Sequence, residues 1–588
     1  MSIASKSQTI YTGCADIREA IREEDSTKGG GLITTLGDQI RALFARRFVY
    51  TWNKENIYED DGEGGQSLVG TNYTNGRLLV TGNRLPDKQF LNNTSLISVN
   101  LPATITEIGS SSSNNLGQCF SGCSNLEYIN AEKITKLGYC SFKGTALRDI
   151  KLLNLQYIHT GGIFYGCTKL VSATISGPIT SLNSAYSNGT FRNCTSLKTV
   201  YLDGSNIVSI GRECFEGCSA LTTVSGIENI KTFGQDAFYG CTPFGGFTLT
   251  EATSIGLTSF AGCRGDNFYL GNKVTTISNE AFCQATSTLN DSKQVSLAGV
   301  INLPLLTSLG AGSFANTKIT EIQSLGNISS LPAAAGYSTG TFKRCVLLTT
   351  VHLPAITSIG NVCFADCSAL ETVTIDGSTS ISVGNYAFSA CTSLTTFPFE
   401  RISYLGDYAF QYCYALVDDG VIDIPNCTSV GAYCAFRMCT GLTGTLKLDS
   451  VINLTGVDWC PGNNIARFHT YSFMSIQNLS STNSNRGSFN DNTYLQKIIL
   501  GPNAVNLGNR TFQGCTNLMT VVLYAETPPT IYSTTFYATV QTDGPANRKY
   551  YVPYSSDHSI LNAYQTATNW SSFASQIYEL TPDGEIPE

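Results

Sequence analysis

The stretch Cys363-Phe-Ala-Asp-Cys-Ser-Ala-Leu-Glu-Thr-Val-Thr-Ile375 decides the fold, because nearly the same phrase recurs along most of the chain. Its copies share a phenylalanine, a cysteine three residues later, a leucine three residues after that, and then alternating apolar residues. Four other copies begin at Cys119, Cys214, Ala387 and Thr511. The chain is therefore built from a repeat.

Aligning the phenylalanines gives 17 copies between Phe90 and Phe512. Of the 16 intervals, six are 22 residues long, two are 23 and two are 24, and insertions lengthen the rest. A period in the low twenties is typical of leucine-rich repeats. The alternation, as in Leu518-Met-Thr-Val-Val-Leu523, predicts a short strand with one buried face. Because one unit cannot bury that face alone, the copies are expected to stack with parallel strands into an α/β solenoid of about 17 rungs.

The repeat predicts one column of phenylalanine and one of cysteine inside the solenoid. Cysteine follows the phenylalanine by three residues in 12 of the 17 copies. An odd total of 21 cysteines cannot pair completely, and free cysteine packs as a small apolar side chain, so we expect buried thiols. Thr145 and Thr317 replace cysteine in two copies, which favours a structural role. The clearest members of the predicted ladder are Phe120, Cys123, Phe164, Cys167, Phe191, Cys194, Phe215, Cys218, Phe364, Cys367, Phe388, Cys391, Phe410, Cys413, Phe512 and Cys515.

Residues 1–48 do not repeat and are expected to form two amphipathic helices. Their apolar stripes have no domain of their own to bury them, which predicts a docking or oligomerisation segment. An N-terminal cap over the first rung is the alternative for the same residues. The stripe residues are Ile17, Ile21, Leu36, Ile40 and Leu43.

The other segments follow from where the repeat begins and ends. Residues 49–84 form a small β linker region, with a predicted hairpin from Ser67 to Thr81. Residues 85–525 form the solenoid, and residues 526–588 form a C-terminal cap with a helix from Ile560 to Leu580. The longest interval, between Phe436 and Phe489, is long enough to hide a degenerate rung.

Composition argues against two classes of partner. The net charge is −8 and there is no basic stripe, so nucleic acid is not an expected partner. No apolar run reaches the roughly 20 residues that span a bilayer, so membrane insertion is not expected. The first ten residues lack the apolar core of a secretory signal, which predicts either that the chain is not exported by the general route or that a signal has been removed.

Residues for chemistry are scarce. No nucleophile elbow, phosphate-binding loop or dinucleotide fingerprint is present. Pairs such as Cys363 and Cys367 include a repeat cysteine and have no second pair at zinc-finger spacing. The histidines are far apart in the sequence, at His159, His352, His469 and His558. We therefore expect no catalytic residue, no cofactor, no metal site and no enzyme activity.

The phrase Phe-x-Gly-Cys-x-x-Leu-x-x-Val/Ile-x-Leu-Pro resembles the BspA-like leucine-rich repeats. The resemblance covers residues from about Phe90 to Leu580, where Tyr551, Ala563-Tyr564 and Trp570 to Ala574 are similar to the family's C-terminal segment. It implies a solenoid that acts in surface attachment, because the family's members are typically adhesins and host-interaction proteins. Similar arrays occur in virion proteins of phages.

Three functions remain open for a protein of this kind, namely a phage virion protein, a cellular adhesin and an enzyme on a solenoid scaffold, and the phage virion is the leading hypothesis. A virion fibre or appendage needs no export signal, would join its particle through residues 1–48, and would bind a host cell-surface glycan or protein through the array. The alternative is a cellular adhesin at the cell surface or outside the cell. In either case a homo-oligomer is possible, and insertions around Thr286 to Leu305 and Val457 to Asn485 are expected to carry binding.

Overall fold

The computed structural model describes most of the repeat region. From residue 87 to residue 588 it describes all residues except 95, 100, 102, 104, 110–116, 159–160, 183–187, 203–205, 284–294, 333–339, 418, 455–465, 481–486, 540–541 and 544–546. Before residue 87 it describes only short strands. The predicted helices of residues 1–48 lie outside the described residues, as do their docking side chains Ile17, Ile21, Leu36, Ile40 and Leu43.

The described residues form a parallel β-solenoid of about 18 turns. The chain divides into two compact units, Met1–His159 with Cys167–Gly177, and Thr160–Gly166 with Pro178–Glu588. The helical part of the expected α/β class is small. The described residues contain one α-helix, Ser559–Thr566, and three 3-10 helices, Ile227–Asn229, Phe399–Arg401 and Trp570–Gln576.

The first unit contains three kinds of strand. An antiparallel sheet contains Val49–Trp52, Ile57–Asp60 and Gln66–Gly70. Two parallel ladders contain Arg77–Leu78, Ser98–Val99 and Tyr128–Ile129, and Arg84–Leu85, Glu107–Ile108, Lys136–Leu137 and Tyr157–Ile158. Asp149–Leu152 pairs in parallel with Ser172–Ile175.

Of the predicted hairpin from Ser67 to Thr81, the structure describes only residues 67–70 and 77–78. Gln66–Gly70 pairs antiparallel with the preceding strand, Ile57–Asp60. Arg77–Leu78 pairs in parallel with Ser98–Val99. The described parts of the predicted hairpin therefore pair with other strands, and residues 71–76 between them lie outside the described residues.

The second unit repeats two ladders per turn. The strands that follow the leucine are Thr199–Tyr201, Thr223–Ser225, Thr248–Leu249, Tyr269–Leu270, Val295–Asn302, Thr317–Ser324, Thr350–Leu353, Thr372–Ile375, Val421–Asp423, Thr445–Lys447, Thr470–Phe473, Lys497–Leu500, Thr520–Leu523, Lys549–Val552 and Ile577–Glu579. The shorter strands that lead into the next phenylalanine are Ser181–Leu182, Ser209–Ile210, Thr232–Phe233, Ser254–Ile255, Thr276–Ile277, Ser308–Leu309, Ser330–Leu331, Ser358–Ile359, Ile381–Val383, Ile402–Leu405, Ser429–Val430, Asn453–Leu454, Asn478–Leu479, Asn506–Leu507 and Thr530–Ile531. A small antiparallel pair, Tyr537–Thr539 with Thr542–Asp543, follows the last of these.

The phenylalanines stack ring on ring in the core of each unit. In the first unit the rings of Phe90, Phe120 and Phe142 lie 5.2 and 5.5 Å apart. In the second, the stack runs without a break from Phe164 to Phe436 with centroid distances of 5.0 to 5.7 Å. Each such pair adds about 0.5–1.5 kcal/mol to the burial of the rings.

The repeat cysteines do more than fill space. Each of the 12 donates its thiol hydrogen to the backbone carbonyl of the phenylalanine in the preceding turn, at 2.9 to 3.5 Å. Thr145 and Thr317 use the hydroxyl to bond the carbonyl of their own turn's phenylalanine instead, at 3.0 and 2.8 Å. In these 14 copies the position holds a small side chain that donates a hydrogen bond, and the other three copies have Asn93, Ala285 and Asn492.

Left-handed backbone on both sides of the phenylalanine makes the turn tight. The residue two places after it has positive φ, as at Gly217 (72°), Asp366 (63°) and Ala390 (60°). In most turns the residue two places before it does too, as at Asp236 (55°) and Val362 (60°). Glycine adopts this backbone freely, which accounts for the Gly-Cys pair in many copies.

The repeat continues further than the sequence indicated. Residues 466–480 form the degenerate rung predicted between Phe436 and Phe489, with Thr470–Phe473 paired on both sides. Tyr471 and Phe473 fill its core in place of the usual ring. Beyond residue 525, Thr530–Ile531 pairs with Asn506–Leu507, and Phe536 stacks on Phe512 at 5.2 Å.

Buried side chains close around Phe536. Trp570 and Tyr564 are both buried, with their rings 5.3 Å apart, and Trp570 lies 6.0 Å from Phe536. The buried Arg548 guanidinium donates to the carbonyls of Leu518 and Phe536 at 2.7 and 3.0 Å. The helix expected from Ile560 to Leu580 is shorter, Ser559–Thr566, and is followed by a 3-10 helix and a strand.

Candidate recognition surface

Three tyrosines on successive turns of the second unit form a row at the surface. The ring of Tyr408 lies 5.0 Å from that of Tyr386 and 5.3 Å from that of Tyr433. The first pair is tilted by 32° and the second is stacked at 15°. Tyr433 is 39% exposed, and the other two side chains are partly exposed. We call these three residues the tyrosine row.

A ladder of short polar side chains fixes the backbone beneath the row. Asn361 Oδ1 accepts the backbone N–H of Asn385 at 2.8 Å. Asn385 Oδ1 in turn accepts the N–H of Asp407 at 2.9 Å. Asp407 Oδ1 accepts the N–H of Tyr433 at 2.9 Å. Because Tyr386 and Tyr408 directly follow Asn385 and Asp407, each rung of this ladder places one tyrosine at the repeat spacing.

The fold does not require tyrosine at these places. Tyr386 and Tyr408 have φ of 56° and 55°, in the left-handed region that disfavours bulky side chains. Other turns satisfy the same backbone with Asp236 (55°), Thr258 (49°) and Val362 (60°). Tyr386 and Tyr408 thus occupy a position where the architecture accepts several other residues, which points to a role in binding.

Arg437 adds a positive charge to the row. Its guanidinium carbon lies 5.8 Å from the centroid of the Tyr408 ring, within the range of a cation–π interaction. Burial raises the pKa of the Tyr408 phenol, and the phenols of Tyr386 and Tyr433 raise it further, against the opposing effect of Arg437. Tyr408 is therefore a neutral hydrogen-bond donor at physiological pH.

Arg192 occupies the same repeat position as Arg437, one residue after the phenylalanine, but its charge is neutralised. Its Nη1 lies 2.5 Å from Glu213 Oε2, and its Nη2 lies 3.0 Å from Glu216 Oε1. Arg437 forms no ion pair among the described residues. One arginine is therefore part of a packed charge network, whereas the other has its charge available.

The sequence-predicted ladder lies entirely in the core. The side chains of Phe364, Cys367, Phe388 and Cys391 are 0% exposed. None of the 16 predicted ladder residues can touch a partner, since all are buried: Phe120, Cys123, Phe164, Cys167, Phe191, Cys194, Phe215, Cys218, Phe364, Cys367, Phe388, Cys391, Phe410, Cys413, Phe512 and Cys515.

The insertions predicted to carry binding are only partly described. In the insertion around Thr286 to Leu305, residues 295–302 form a strand of the parallel ladder, and residues 284–294 lie outside the described residues. In the insertion around Val457 to Asn485, residues 466–480 form the degenerate rung, and residues 455–465 and 481–486 lie outside the described residues. The sequence-based prediction did not include the tyrosine row, although Tyr-Ala-Phe recurs 22 residues apart at Tyr386 and Tyr408.

The stacked turns define a leucine-rich-repeat solenoid, and the sequence places it in one family of that class. The family described as "BspA type Leucine rich repeat region (6 copies)" matches residues 83–190, 186–289, 307–443 and 422–541. These segments cover well over half of the chain. The chain belongs to the BspA-type leucine-rich repeat family.

Solved structures with similar folds come from several bacteria. A leucine-rich repeat protein from Bacteroides ovatus ATCC 8483 is 17% identical, over 85% of this chain and 99% of its own, with a TM-score of 0.37. A leucine rich cell surface protein from Faecalibacterium prausnitzii A2-165 is 18% identical, over 75% and 98%, with a TM-score of 0.32. A leucine-rich repeat protein from Eubacterium ventriosum ATCC 27560 is 16% identical, over 64% and 97%, with a TM-score of 0.31.

Other comparisons and searches gave no match. No curated protein sequence matches the chain. Within the described part of the chain, no group of three or more His, Cys, Asp or Glu side chains is arranged to hold a metal ion. No helix among the same residues is long and apolar enough to cross a membrane.

Proposed function

We propose that the protein is a non-enzymatic recognition protein of the BspA-like adhesin kind, which binds a partner through the exposed flank of its solenoid. The observation that carries this proposal is the tyrosine row, because three rings that reach the surface line up on consecutive turns, two of them at a position where the fold does not require tyrosine. Aromatic side chains and arginine are enriched at binding surfaces. The partner is a glycan or a protein of a cell surface.

Family membership supports the cellular adhesin more directly than the virion fibre. The phage appendage, which led at the level of sequence, therefore becomes the second candidate. Gene neighbourhood separates the two. Portal and tail genes beside this gene would support the virion, whereas a surface-export locus supports the adhesin.

The proposal assigns different tasks to the ends of the chain. Residues 1–48 attach the protein to its surface or particle assembly, or join copies of it. Residues 526–588 cap the last turns, supported by the packing of Tyr564 and Trp570 near Phe536. Deleting residues 1–48 should leave a folded solenoid that binds its target but no longer assembles. Loss of target binding with assembly intact would reverse this assignment.

Binding by the full-length chain tests the role of the tyrosine row. We would screen the protein against a glycan array and a panel of extracellular-matrix proteins, then compare a Tyr386→Ala/Tyr408→Ala/Tyr433→Ala variant. Tyr532→Ala is the matched control, because Tyr532 is 48% exposed and lies outside the row. The triple variant should lose the bound partner, and the control should keep it. Equal binding by both variants would overturn the proposal.

A further inference from the structure

We propose that the tyrosine row and Arg437 together bind a glycan that carries an acidic group, either a carboxylate or a sulfate. This inference rests on the proposed function, since it names the class of partner for the same surface. The acidic group would face the Arg437 guanidinium, and the phenols would contact the sugar units on either side.

The charge of Arg437 is the first argument. A guanidinium binds planar and tetrahedral anions through several hydrogen bonds at once, and such charge-assisted bonds are stronger than neutral ones. At the same repeat position Arg192 already binds two carboxylates. Arg437 has no such partner among the described residues and lies against the Tyr408 ring. An anion from outside could therefore take the place that Glu213 and Glu216 take beside Arg192.

The phenols are the second argument. Because burial raises the pKa of Tyr408, this hydroxyl remains protonated and can donate to a carboxylate, a sulfate or a sugar hydroxyl. The rings recur at 5.0 and 5.3 Å, which is close to the length of one pyranose unit. Successive sugars of a chain lying along the row would each meet one tyrosine.

The width of the surface favours a glycan over a protein. A stable protein interface buries about 800 Å² on each partner and involves roughly 20–30 residues a side. The row is one side chain wide and contains three tyrosines and one arginine. A linear glycan is narrow and can be bound by a few rigid aromatic and polar side chains.

The neighbouring acid does not compete for Arg437. Asp407 lies beneath the row, where its Oδ1 accepts the backbone N–H of Tyr433. Among the described residues it makes no ion pair with Arg437. Its hydrogen bond to the next turn instead holds Tyr433 in place, so the carboxylate orders the row without neutralising its cation.

The test compares acidic and neutral glycans on the full-length protein. Matched oligosaccharides would be neutral, sialylated or uronate-containing, and sulfated, with affinities measured by calorimetry at low and high salt. Arg437→Gln should weaken binding of the acidic glycans by roughly ten- to hundredfold, as for loss of hydrogen bonds to a charged group, and should reduce the salt dependence. Neutral glycans should bind equally weakly to both proteins.

Arg467→Gln is the matched control, because the Arg467 guanidinium also lies over a tyrosine ring, Tyr494, at 5.5 Å, away from the row. It should bind acidic glycans like the wild type. Preference for the carboxylated or for the sulfated probe identifies the group and supports the proposal either way. The proposal would be overturned if this protein bound a glycoprotein partner equally well before and after the partner's glycans were removed.

The two proposals fail separately. If Arg437→Gln leaves acidic-glycan binding unchanged while the triple tyrosine variant loses its partner, the acidic group is wrong and the recognition surface stands. If the triple variant binds as the wild type does, both proposals fail.

Discussion

The phenylalanine column and the tyrosine row have almost the same geometry and opposite environments. Phe364, Phe388 and Phe410 stack at 5.2 Å with no exposed surface. The tyrosines, two residues before Phe388 and Phe410 and three before Phe436, lie 5.0 and 5.3 Å apart at the protein surface. The repeat spacing thus imposes stacking on any side chain that recurs, whether it faces the core or the solvent.

The two columns differ in what they require of the sequence. The inner column is continuous from Phe164 to Phe436, because a gap in it would open a cavity in the core. The outer column contains tyrosine on three consecutive turns, and aspartate, threonine and valine occupy the place of Tyr386 and Tyr408 in other turns. Inner positions therefore maintain the architecture, and outer positions are free to carry function.

The largest expected effect is a loss of stability at alkaline pH, caused by the buried cysteine thiols in the core. Burial raises the pKa of Cys214, Cys363 and Cys515 to about 12. An unfolded thiol titrates near about 8.5, so the unfolded chain loses protons that the folded chain keeps. The stabilising contribution is complete below about pH 8.5 and is lost as the pH rises towards 12, by about 1.4 kcal/mol per pH unit for each such thiol.

Urea unfolding followed by circular dichroism at about pH 8 and about pH 10 measures this loss. Cys214→Ala/Cys363→Ala is the matched variant, because Ala387 and Ala409 occupy the same place before their phenylalanines. Its free energy of unfolding should fall less steeply with pH than that of the wild type, by about 3 kcal/mol per pH unit. Equal slopes would show that these thiols do not control alkaline stability.

Emptying one place in the inner column should have the next largest effect. Phe388→Ala removes a ring that stacks on Phe364 and Phe410, so the free energy of unfolding should fall by about 3–5 kcal/mol. Phe388→Leu, which keeps much of the volume, should cost about 1–2 kcal/mol. Hydrogen exchange should show the loss spreading to adjacent turns, since each turn packs mainly on its neighbours. A cost under about 1 kcal/mol for the alanine variant would contradict a core role.

The cysteine column allows a smaller and more selective test. The Cys391 thiol donates to the Phe364 carbonyl at 3.2 Å, and that carbonyl also accepts the N–H of Cys367. Cys391→Ala should therefore cost about 1–2 kcal/mol, because the acceptor keeps one partner. Cys391→Thr should cost less, since Thr145 and Thr317 occupy this place naturally. Thermal unfolding of both variants decides the point; if threonine proves worse than alanine, donation by this side chain does not matter.

The sequence predicted the inner column, whereas its only signal for the outer column is the recurrence of Tyr-Ala-Phe at Tyr386 and Tyr408. A period of 22 residues and the phrase around Phe364 specify stacked turns, because every copy must bury the same face. The thiol bonds depend on the register between one turn and the next. Whether an arginine at this repeat position can bind an outside anion depends on the side chains that the neighbouring turns bring near it. Arg192 is paired with Glu213, whereas Arg437 lies over the Tyr408 ring.

The smallest expected effect is on stability when the outer column is removed. Tyr386→Asn and Tyr408→Asn give up ring contacts worth about 0.5–1.5 kcal/mol per pair, but asparagine tolerates the left-handed backbone at φ of 56° and 55° better than tyrosine does. The two effects oppose each other, so the double variant should unfold within about 1 kcal/mol of the wild type in urea. The same variant should lose partner binding. A loss of about 3 kcal/mol or more would place the tyrosines with the architecture, like the phenylalanines, and would remove the reason for assigning them to recognition.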